Sequence, residues 1–234
     1  MATSGRRIIQ LGFAALIIVF MSYGFGKFGL VNWPSRYDPF ALPDLKEKPY
    51  WLTYFKLKII DNDLPACMLS MSGAGLNSTL SEPRGEGTPC EFANIFHLAH
   101  LETARLKPED TRCNIAARLY MWERNVLQPA AMRHFGVKVA EIMHFGSYNC
   151  RTIRGSSSMS EHAHGNAFDI SGFRLKNGQL ISVLKDWESG PSAEFLHEAR
   201  DGLCDVFNLT LSPDYNSDHK DHFHVDMGWV RGCH

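Results

Sequence analysis

An uncharged stretch of nineteen residues, 8–26, lies near the start of this 234-residue sequence. A helix needs roughly 17–25 mostly apolar residues to cross a bilayer, so this stretch is long enough to span one. Arg6 and Arg7 precede it and Lys27 follows it, a charge bias that places the N-terminus in the cytoplasm. A cleaved signal peptide is the alternative, but no small-residue cleavage site follows the apolar run. Residues 1–27 are therefore predicted to form a cytoplasmic stub and one N-terminal transmembrane helix that anchors the chain.

Six cysteines all follow the predicted anchor, and they are Cys67, Cys90, Cys113, Cys150, Cys204 and Cys233. An even number confined to the exported part favours disulfides formed in an oxidising compartment. Metal binding by cysteine is the alternative, but it requires close pairs, and the nearest two have 22 residues between them. The sequence predicts three structural disulfides and leaves their pairing open.

The composition is that of an ordinary globular protein, with 44% hydrophobic residues and a formal net charge of -1. Disorder is excluded by this balance, and a nucleic-acid binder is disfavoured because it usually carries a basic excess. Prolines recur through residues 28–50, and proline favours extended backbone, so this segment is predicted to be an extended linker. Residues 51–234 then form the folded domain.

Within the domain, hydrophobic periodicity predicts short strands and helices in mixed order. Predicted strands cover residues 52–60, 137–143 and 221–229, and a hairpin joins 167–174 to 180–184 through the Asn177-Gly178 turn. Helices are predicted at 110–133 and 192–207, and a surface loop at 70–89. The predicted fold class is α+β, with an antiparallel sheet packed with helices.

Five of the eleven histidines lie in two short clusters. One cluster contains His162, His164 and Asp169, and the other contains His219, Asp221, His222, His224 and Asp226. Side chains two apart on a strand point the same way, so His222, His224 and Asp226 would share one face opposite Phe223 and Val225. Two imidazoles and a carboxylate form a common catalytic zinc set, and the clusters therefore predict a Zn²⁺ site.

The motif Ser160-x-His162-x-x-Gly165-x-Ala167-x-Asp169, followed by His222-x-His224, resembles the zinc-site signature of the D-Ala-D-Ala carboxypeptidase and murein endopeptidase superfamily. The hedgehog signalling domain shares that fold. The order His219-x-x-His222-x-His224 is similar to the penicillin-insensitive murein endopeptidases. Over about residues 50–234, the chain resembles the extensin-like C-terminal domain family. The segments that carry this resemblance include 55–57, 113–122, 126–130, 146–151 and the two histidine clusters.

The resemblance implies a role for each matching residue. His162, Asp169 and His224 would be the zinc ligands, although His164 could replace His162 if the loop turned differently. Gly165 would allow close backbone approach, and Ala167 would leave room beside the metal. His222 is the expected proton-transfer residue, with Asp221 in reserve and His219 near the substrate. Arg151 is expected to bind substrate, because its guanidinium could hold a carboxylate or stabilise an oxyanion, and the alternative for it is a surface salt bridge. Ser160 is expected to contact the substrate or to orient its own loop.

By analogy with the superfamily, these features imply a zinc metallopeptidase that acts on peptidoglycan peptides as an endopeptidase or a D,D-carboxypeptidase. It would be a single-pass protein of the cell inner membrane whose domain lies in the periplasm, or otherwise on the extracytoplasmic side. One alternative is a non-catalytic, zinc-containing module that binds the cell envelope. The other is an anchored structural protein whose histidines hold no metal.

Overall fold

The computed structural model describes residues 12–14, 16–24, 34–78 and 81–234, and the chain divides into two units, Met1–Ala41 and Leu42–His234. In the first unit, residues 12–14 and 16–24 are helical, and a 3-10 turn spans Ser35–Tyr37. The predicted transmembrane segment, 8–26, lies partly outside the described residues. Of the helices in the described ranges, none has the length and apolar character required to cross a membrane.

The second unit is an α+β domain built on one mixed sheet, to which eight strands of the described residues contribute. In chain order the strands are β1 (Ile95–His100), β2 (Arg105–Arg112), β3 (Val139–Gly146), β4 (Ala167–Leu175), β5 (Leu180–Ser182), β6 (Leu209–Leu211), β7 (Phe223–Asp226) and β8 (Gly232–Cys233). Their spatial order is β1-β2-β3-β4-β7-β6-β8, with β5 paired to β4 outside this path.

The helices of this unit are α1 (Thr53–Ile60), α2 (Leu64–Ala74), α3 (Cys113–Trp122), α4 (Gln128–Phe135), α5 (Val183–Asp186) and α6 (Pro191–Cys204). Large side chains from these helices and from the sheet meet in one hydrophobic core. Trp122 of α3 and Phe195 of α6 both contact Phe173 of β4. The helices therefore cover the face of β4 that Phe173 presents.

The expectation of a purely antiparallel sheet is wrong, because β2 pairs with β3 and β6 pairs with β8 in parallel. The connection from β2 to β3 contains α3, a π-helical turn (Glu123–Leu127) and α4. A connection of this length can return the chain to the opposite end of the sheet, which parallel pairing requires. The remaining strand pairs are antiparallel.

The strand predicted at residues 52–60 is also wrong, since Thr53–Ile60 forms helix α1. Its buried residues are Thr53, Lys56, Leu57 and Ile60, and their spacing places them on one helical face. The high β-propensity of these residues is overridden by the packing of this face. Part of the predicted linker, 28–50, also belongs to the folded unit, since that unit begins at Leu42 and Leu45 is completely buried.

The loop predicted at 70–89 is wrong over its first five residues, because residues 70–74 complete helix α2 and some of them are buried. The other predicted helices and strands are confirmed with shifted boundaries. The predicted helix at 110–133 begins only at Cys113, because residues 110–112 pair with β1 as part of β2. It is interrupted by the π-helical turn, and it ends at Gly136 in the left-handed conformation. The β4–β5 hairpin and helix α6 lie where they were predicted, and the last predicted strand is reduced to β7.

Three disulfides pair all six cysteines, which confirms the structural interpretation of these residues. The pairs are Cys67–Cys113, Cys90–Cys150 and Cys204–Cys233. The first joins α2 to α3, and the last joins the end of α6 to β8. Cys90–Cys150 joins the loop before β1 to the loop that follows β3.

Candidate metal centre

The structure brings together three of the predicted site residues, His162, Asp169 and His224. Their facing atoms are His162 Nε2, Asp169 Oδ1 and His224 Nδ1. His162 Nε2 lies 3.1 Å from Asp169 Oδ1 and 3.1 Å from His224 Nδ1. His224 Nδ1 lies 3.0 Å from Asp169 Oδ1, so the three atoms form a nearly equilateral triangle. Four tetrahedral zinc ligands at ~2.0–2.1 Å from the ion would lie about 3.3–3.4 Å apart. The triangle is therefore close to the size of one face of such a ligand set.

Strand pairing places Asp169 beside His224. Asp169 of β4 is directly opposite His224 of β7 in the antiparallel ladder, so both side chains leave the sheet on the same face. The residues that flank Asp169, Phe168 and Ile170, are completely buried on the opposite face. The alternation of polar and apolar residues therefore places the core residues on one face of the sheet and the candidate ligands on the other.

His162 comes from a 3-10 turn, Glu161–His164, immediately before β4. The Ser160 hydroxyl accepts a hydrogen bond from the His162 backbone N–H at 3.3 Å, which caps the turn. Gly165 ends the turn with φ +60°, and a Cβ there would lie 2.2 Å from a carbon of the Phe92 ring. The turn that carries His162 therefore requires glycine at position 165.

The second ring nitrogen of His162 determines its tautomer. His162 Nδ1 lies 2.8 Å from the carbonyl oxygen of Ser147. Because a carbonyl oxygen can only accept, Nδ1 must carry the hydrogen. In the neutral ring, Nε2 then presents a lone pair to Asp169 and His224.

Asp226 fixes His224 in the same way. His224 Nε2 donates to Asp226 Oδ2 at 3.0 Å, and Asp226 Oδ1 accepts the backbone N–H of Gly228 at 2.8 Å. In the neutral ring, His224 Nδ1 therefore points its lone pair into the triangle. Such carboxylate–histidine contacts orient metal ligands in many proteins.

Three lone-pair atoms at this spacing repel each other unless a positive charge lies among them. Burial, the largest single influence, lowers the pKa of His224, but its bonds to Asp169 and Asp226 raise that pKa overall to about 9. Burial likewise raises the pKa of Asp169, yet hydrogen bonds from His162 and His224 hold it well below its usual range. The triangle thus attracts a proton or a metal cation, and its donor atoms fit a divalent cation that prefers nitrogen and oxygen ligands.

Asp221 and His222 form a pair beside the triangle. His222 Nδ1 donates to Asp221 Oδ1 at 2.8 Å, and His222 Nε2 lies 3.7 Å from Asp169 Oδ1. The His222 side chain is 12% exposed and lies against the exposed ring of Phe145. A neutral His222 held in this way directs an unprotonated nitrogen towards the candidate metal, where it can accept a proton.

His219 lies over the other two histidines of its cluster, with ring centroids 5.3 Å from His222 and 5.8 Å from His224. Asn216 Oδ1 accepts from the Asp218 N–H at 3.0 Å, and His219 Nδ1 lies 2.8 Å from the same oxygen. Burial, the largest influence, acts together with the nearby His224 and His222 to lower the pKa of His219 to about 4. His219 is therefore neutral at pH 7, with its Nδ1 as the hydrogen-bond donor.

The remaining predicted residues contribute no atom to the triangle. Arg151 is exposed on the loop after β3, and its guanidinium donates to the Thr152 carbonyl. Ser160 caps the His162 turn, so the contact observed for it is structural. His164 Nδ1 bonds to the Glu91 carbonyl oxygen at 3.0 Å, and it is His162 that joins the triangle.

Two contributors were not assigned a role from sequence. The sequence could have indicated Asp226, because its two-residue spacing from His224 places both side chains on the same face of the strand. The sequence could not have indicated Ser147, because this residue acts through its backbone carbonyl, which every residue type supplies.

Comparison with known families gives one result that bears on identity. The model of the family described as extensin-like protein C-terminus matches residues 65–234, which include every residue of the triangle. Neither the curated proteins nor the solved structures contain a match to the chain. The matched region covers well over half of the sequence and contains the whole sheet. The chain therefore belongs to the extensin-like protein C-terminus family.

Proposed function

We propose that this chain is a zinc-dependent peptidase that acts on peptidoglycan peptides outside the cytoplasmic membrane. The observation that carries the proposal is the triangle of His162 Nε2, Asp169 Oδ1 and His224 Nδ1, in which outer hydrogen bonds direct both imidazole lone pairs inward. These three residues would hold the ion. Two histidines and one carboxylate leave a coordination position open for water or substrate, as in catalytic zinc sites.

When bound, zinc supplies Lewis-acid polarisation of the scissile carbonyl and a water of lowered pKa. His222 is placed to accept the proton of the attacking water, because its free Nε2 faces the triangle while Asp221 holds Nδ1. The same imidazole can return that proton to the leaving amine. Asp221 orients the ring and stabilises its protonated form, so Asp221 is a positioning residue.

The peptide substrate and the location rest on further observations. The motif from Ser160 to Asp169, with His222-x-His224, resembles the murein peptidase superfamily, whose substrates are peptidoglycan peptides. Three disulfides are typical of proteins in oxidising compartments such as the periplasm. The apolar residues 8–26 are proposed to anchor the chain in the inner membrane. Extraction of membranes at alkaline pH tests this anchor, because a spanning protein stays in the pellet and a peripheral one does not.

The metal assignment is tested by elemental analysis of the purified protein after dialysis against buffered zinc. The wild type is expected to retain one zinc per chain, and His162→Ala is expected to lose it. His164→Ala is the matched control, because His164 belongs to the same turn but bonds to Glu91 instead. Equal zinc in the His162→Ala protein and the wild type would contradict the ligand assignment.

The catalytic assignment is tested by digesting purified peptidoglycan and separating the fragments by chromatography. The zinc-loaded wild type is expected to change the fragment pattern. His222→Ala is expected to keep its zinc and to cleave about 10²–10⁴-fold more slowly, the usual contribution of a general base. Retained zinc and cosedimentation with cell wall, without any cleavage by the wild type, would identify a non-catalytic binding module instead.

A further inference from the structure

Two neighbouring grooves on the domain surface each include four lysine or arginine residues in their lining. The first groove has a volume of about 620 Å³, and its cations are Arg105, Lys107, Arg174 and Lys176. The second has a volume of about 490 Å³, and its cations are Lys46, Lys48, Arg124 and Lys138. Both grooves include Thr103, so they are adjacent. These eight residues are called the basic strip.

Most cations of the basic strip lack a counter-charge. Each groove contains one carboxylate, and each of these is paired with an arginine of the strip: Glu141 with Arg174 at 2.9 Å, and Glu102 with Arg124. Within the described part of the chain, the other six cations form no ion pair, and all six are exposed. Each therefore remains available to an anionic ligand.

The charge of the basic strip differs in sign from that of the whole chain. The eight cations of the strip, together with Glu102 and Glu141 of the same grooves, give a formal charge of +6, whereas the whole chain carries -1. All other residues together therefore carry -7. Concentration of one sign of charge in a groove attracts ligands of the opposite sign and raises their association rate.

The first groove of the basic strip is formed mainly by strand residues and lies on the same face of the sheet as the metal centre. Phe168, Ile170, Phe173 and Leu175 of β4 all belong to the hydrophobic core, so Asp169 and Arg174 both lie on the opposite face. Arg174 is five positions after Asp169, which at about 3.3 Å per residue corresponds to ~16 Å along the strand. A peptide in extended conformation covers this distance with about five residues.

We propose that the basic strip binds the acidic, carboxylate-bearing part of the peptide whose scissile bond lies at the metal centre. This inference rests on the proposed function and adds a preference for acidic substrates. Glu141 of β3 is paired with Arg105 of β2 and with Arg174 of β4, so Arg105 and Arg174 lie on either side of Glu141 in the first groove. A row of exposed cations without counter-charges fits an extended chain of carboxylates, because successive carboxylates can pair with successive cations.

Fluorescence anisotropy of fluorescein-labelled hexaglutamate tests the proposal with full-length protein in detergent at low salt. Hexaglutamate is expected to bind, and uncharged hexaglutamine is not. Lys176→Glu is expected to weaken hexaglutamate binding about fivefold or more, because it changes the local charge by two units. Lys185→Glu is the matched control, since Lys185 is an exposed lysine of α5 outside the strip, and its binding should stay within about twofold of wild type.

The experiment separates this inference from the proposed function, because it measures binding rather than cleavage. It is repeated with the zinc-free His162→Ala protein, which should bind hexaglutamate as the wild type does. Equal binding of the two peptides, or equal binding by Lys176→Glu and Lys185→Glu, would overturn the proposal. A vesicle assay gives the other refuting outcome. If the wild type and Lys185→Glu sediment with phosphatidylglycerol vesicles, Lys176→Glu does not, and hexaglutamate fails to bind, the strip recognises a membrane surface instead.

Discussion

Substitution of Asp226 by asparagine should weaken zinc binding although Asp226 does not touch the ion. Asp226 accepts from His224 Nε2 and thereby leaves His224 Nδ1 unprotonated towards Asp169. An asparagine of the same shape can present its amide N–H₂ to Nε2 instead, since its oxygen can keep the bond to the Gly228 N–H. The imidazole hydrogen would then move to Nδ1, where it blocks the lone pair that the metal needs.

Loss of such an outer carboxylate typically costs 10–100-fold in metal affinity, which corresponds to about 1.4–2.7 kcal/mol. Asp226 is almost fully buried, with 4% of its surface exposed, so water cannot readily replace it and the loss should fall in the upper part of this range. Competition with a chromogenic chelator at pH 7.5 measures the zinc dissociation constant directly.

Asp221→Asn is the control for the change of charge. It removes the same charge near the site, but Asp221 bonds to His222, which is not a candidate ligand. Its zinc affinity should stay within about threefold of wild type. Zinc binding by Asp226→Asn as tight as that of the wild type would refute the orienting role of Asp226. Equal losses of affinity in both variants would also refute it, because the change of charge alone would then explain them.

Three other predictions concern the stability of the domain. Gly165→Ala should destabilise it by about 2–4 kcal/mol in urea unfolding, because it combines a positive φ with overpacking against Phe92; a change below ~0.5 kcal/mol would show that the turn adapts. The Cys90→Ser/Cys150→Ser double variant should lose about 4 kcal/mol for a separation of 60 residues, and an unchanged urea midpoint would show that this link contributes no stability. Without metal, the raised pKa of His224, about 9, means that its stabilising charge is fully present below about pH 6.5 and is lost towards pH 9. The melting temperature of the metal-free protein should therefore fall over this interval, while saturating zinc should reverse the trend because deprotonated His224 binds it better; parallel curves with and without zinc would contradict this.

Local signals in the sequence predicted those elements whose form depends on neighbouring residues. The Asn-Gly turn between β4 and β5 and the amphipathic stripe of α6 needed no information about distant contacts, and both are present. Helix α1 was missed because its aromatic and β-branched residues favour strands, whereas its packing against the core is decided by distant residues. The parallel pairing of β2 with β3 depends on where a long connection returns, which periodicity does not encode.

The candidate site was more predictable than the sheet around it. Strand parity alone placed His224 on the polar face of β7, and the motif selected His162 and Asp169 as its partners. The pairing of Asp169 with His224 could not be derived, because it depends on which residues of two distant strands lie opposite each other. The basic strip was also not foreseen, since its cations come from five separate stretches of a chain whose overall charge is nearly neutral.

If the triangle binds a metal as proposed, the pairing of Asp169 with His224 also makes metal binding depend on correct alignment of β4 and β7. If β7 were displaced by one residue along β4, Phe223 would face Asp169 and His224 would be driven into the core. Such a misfolded chain would lose the binding energy of the ion, and it would also bury a polar imidazole among aromatic rings. Both effects would lower its stability. Metal uptake would then act as a quality control, because only molecules with correctly aligned strands would gain its binding energy.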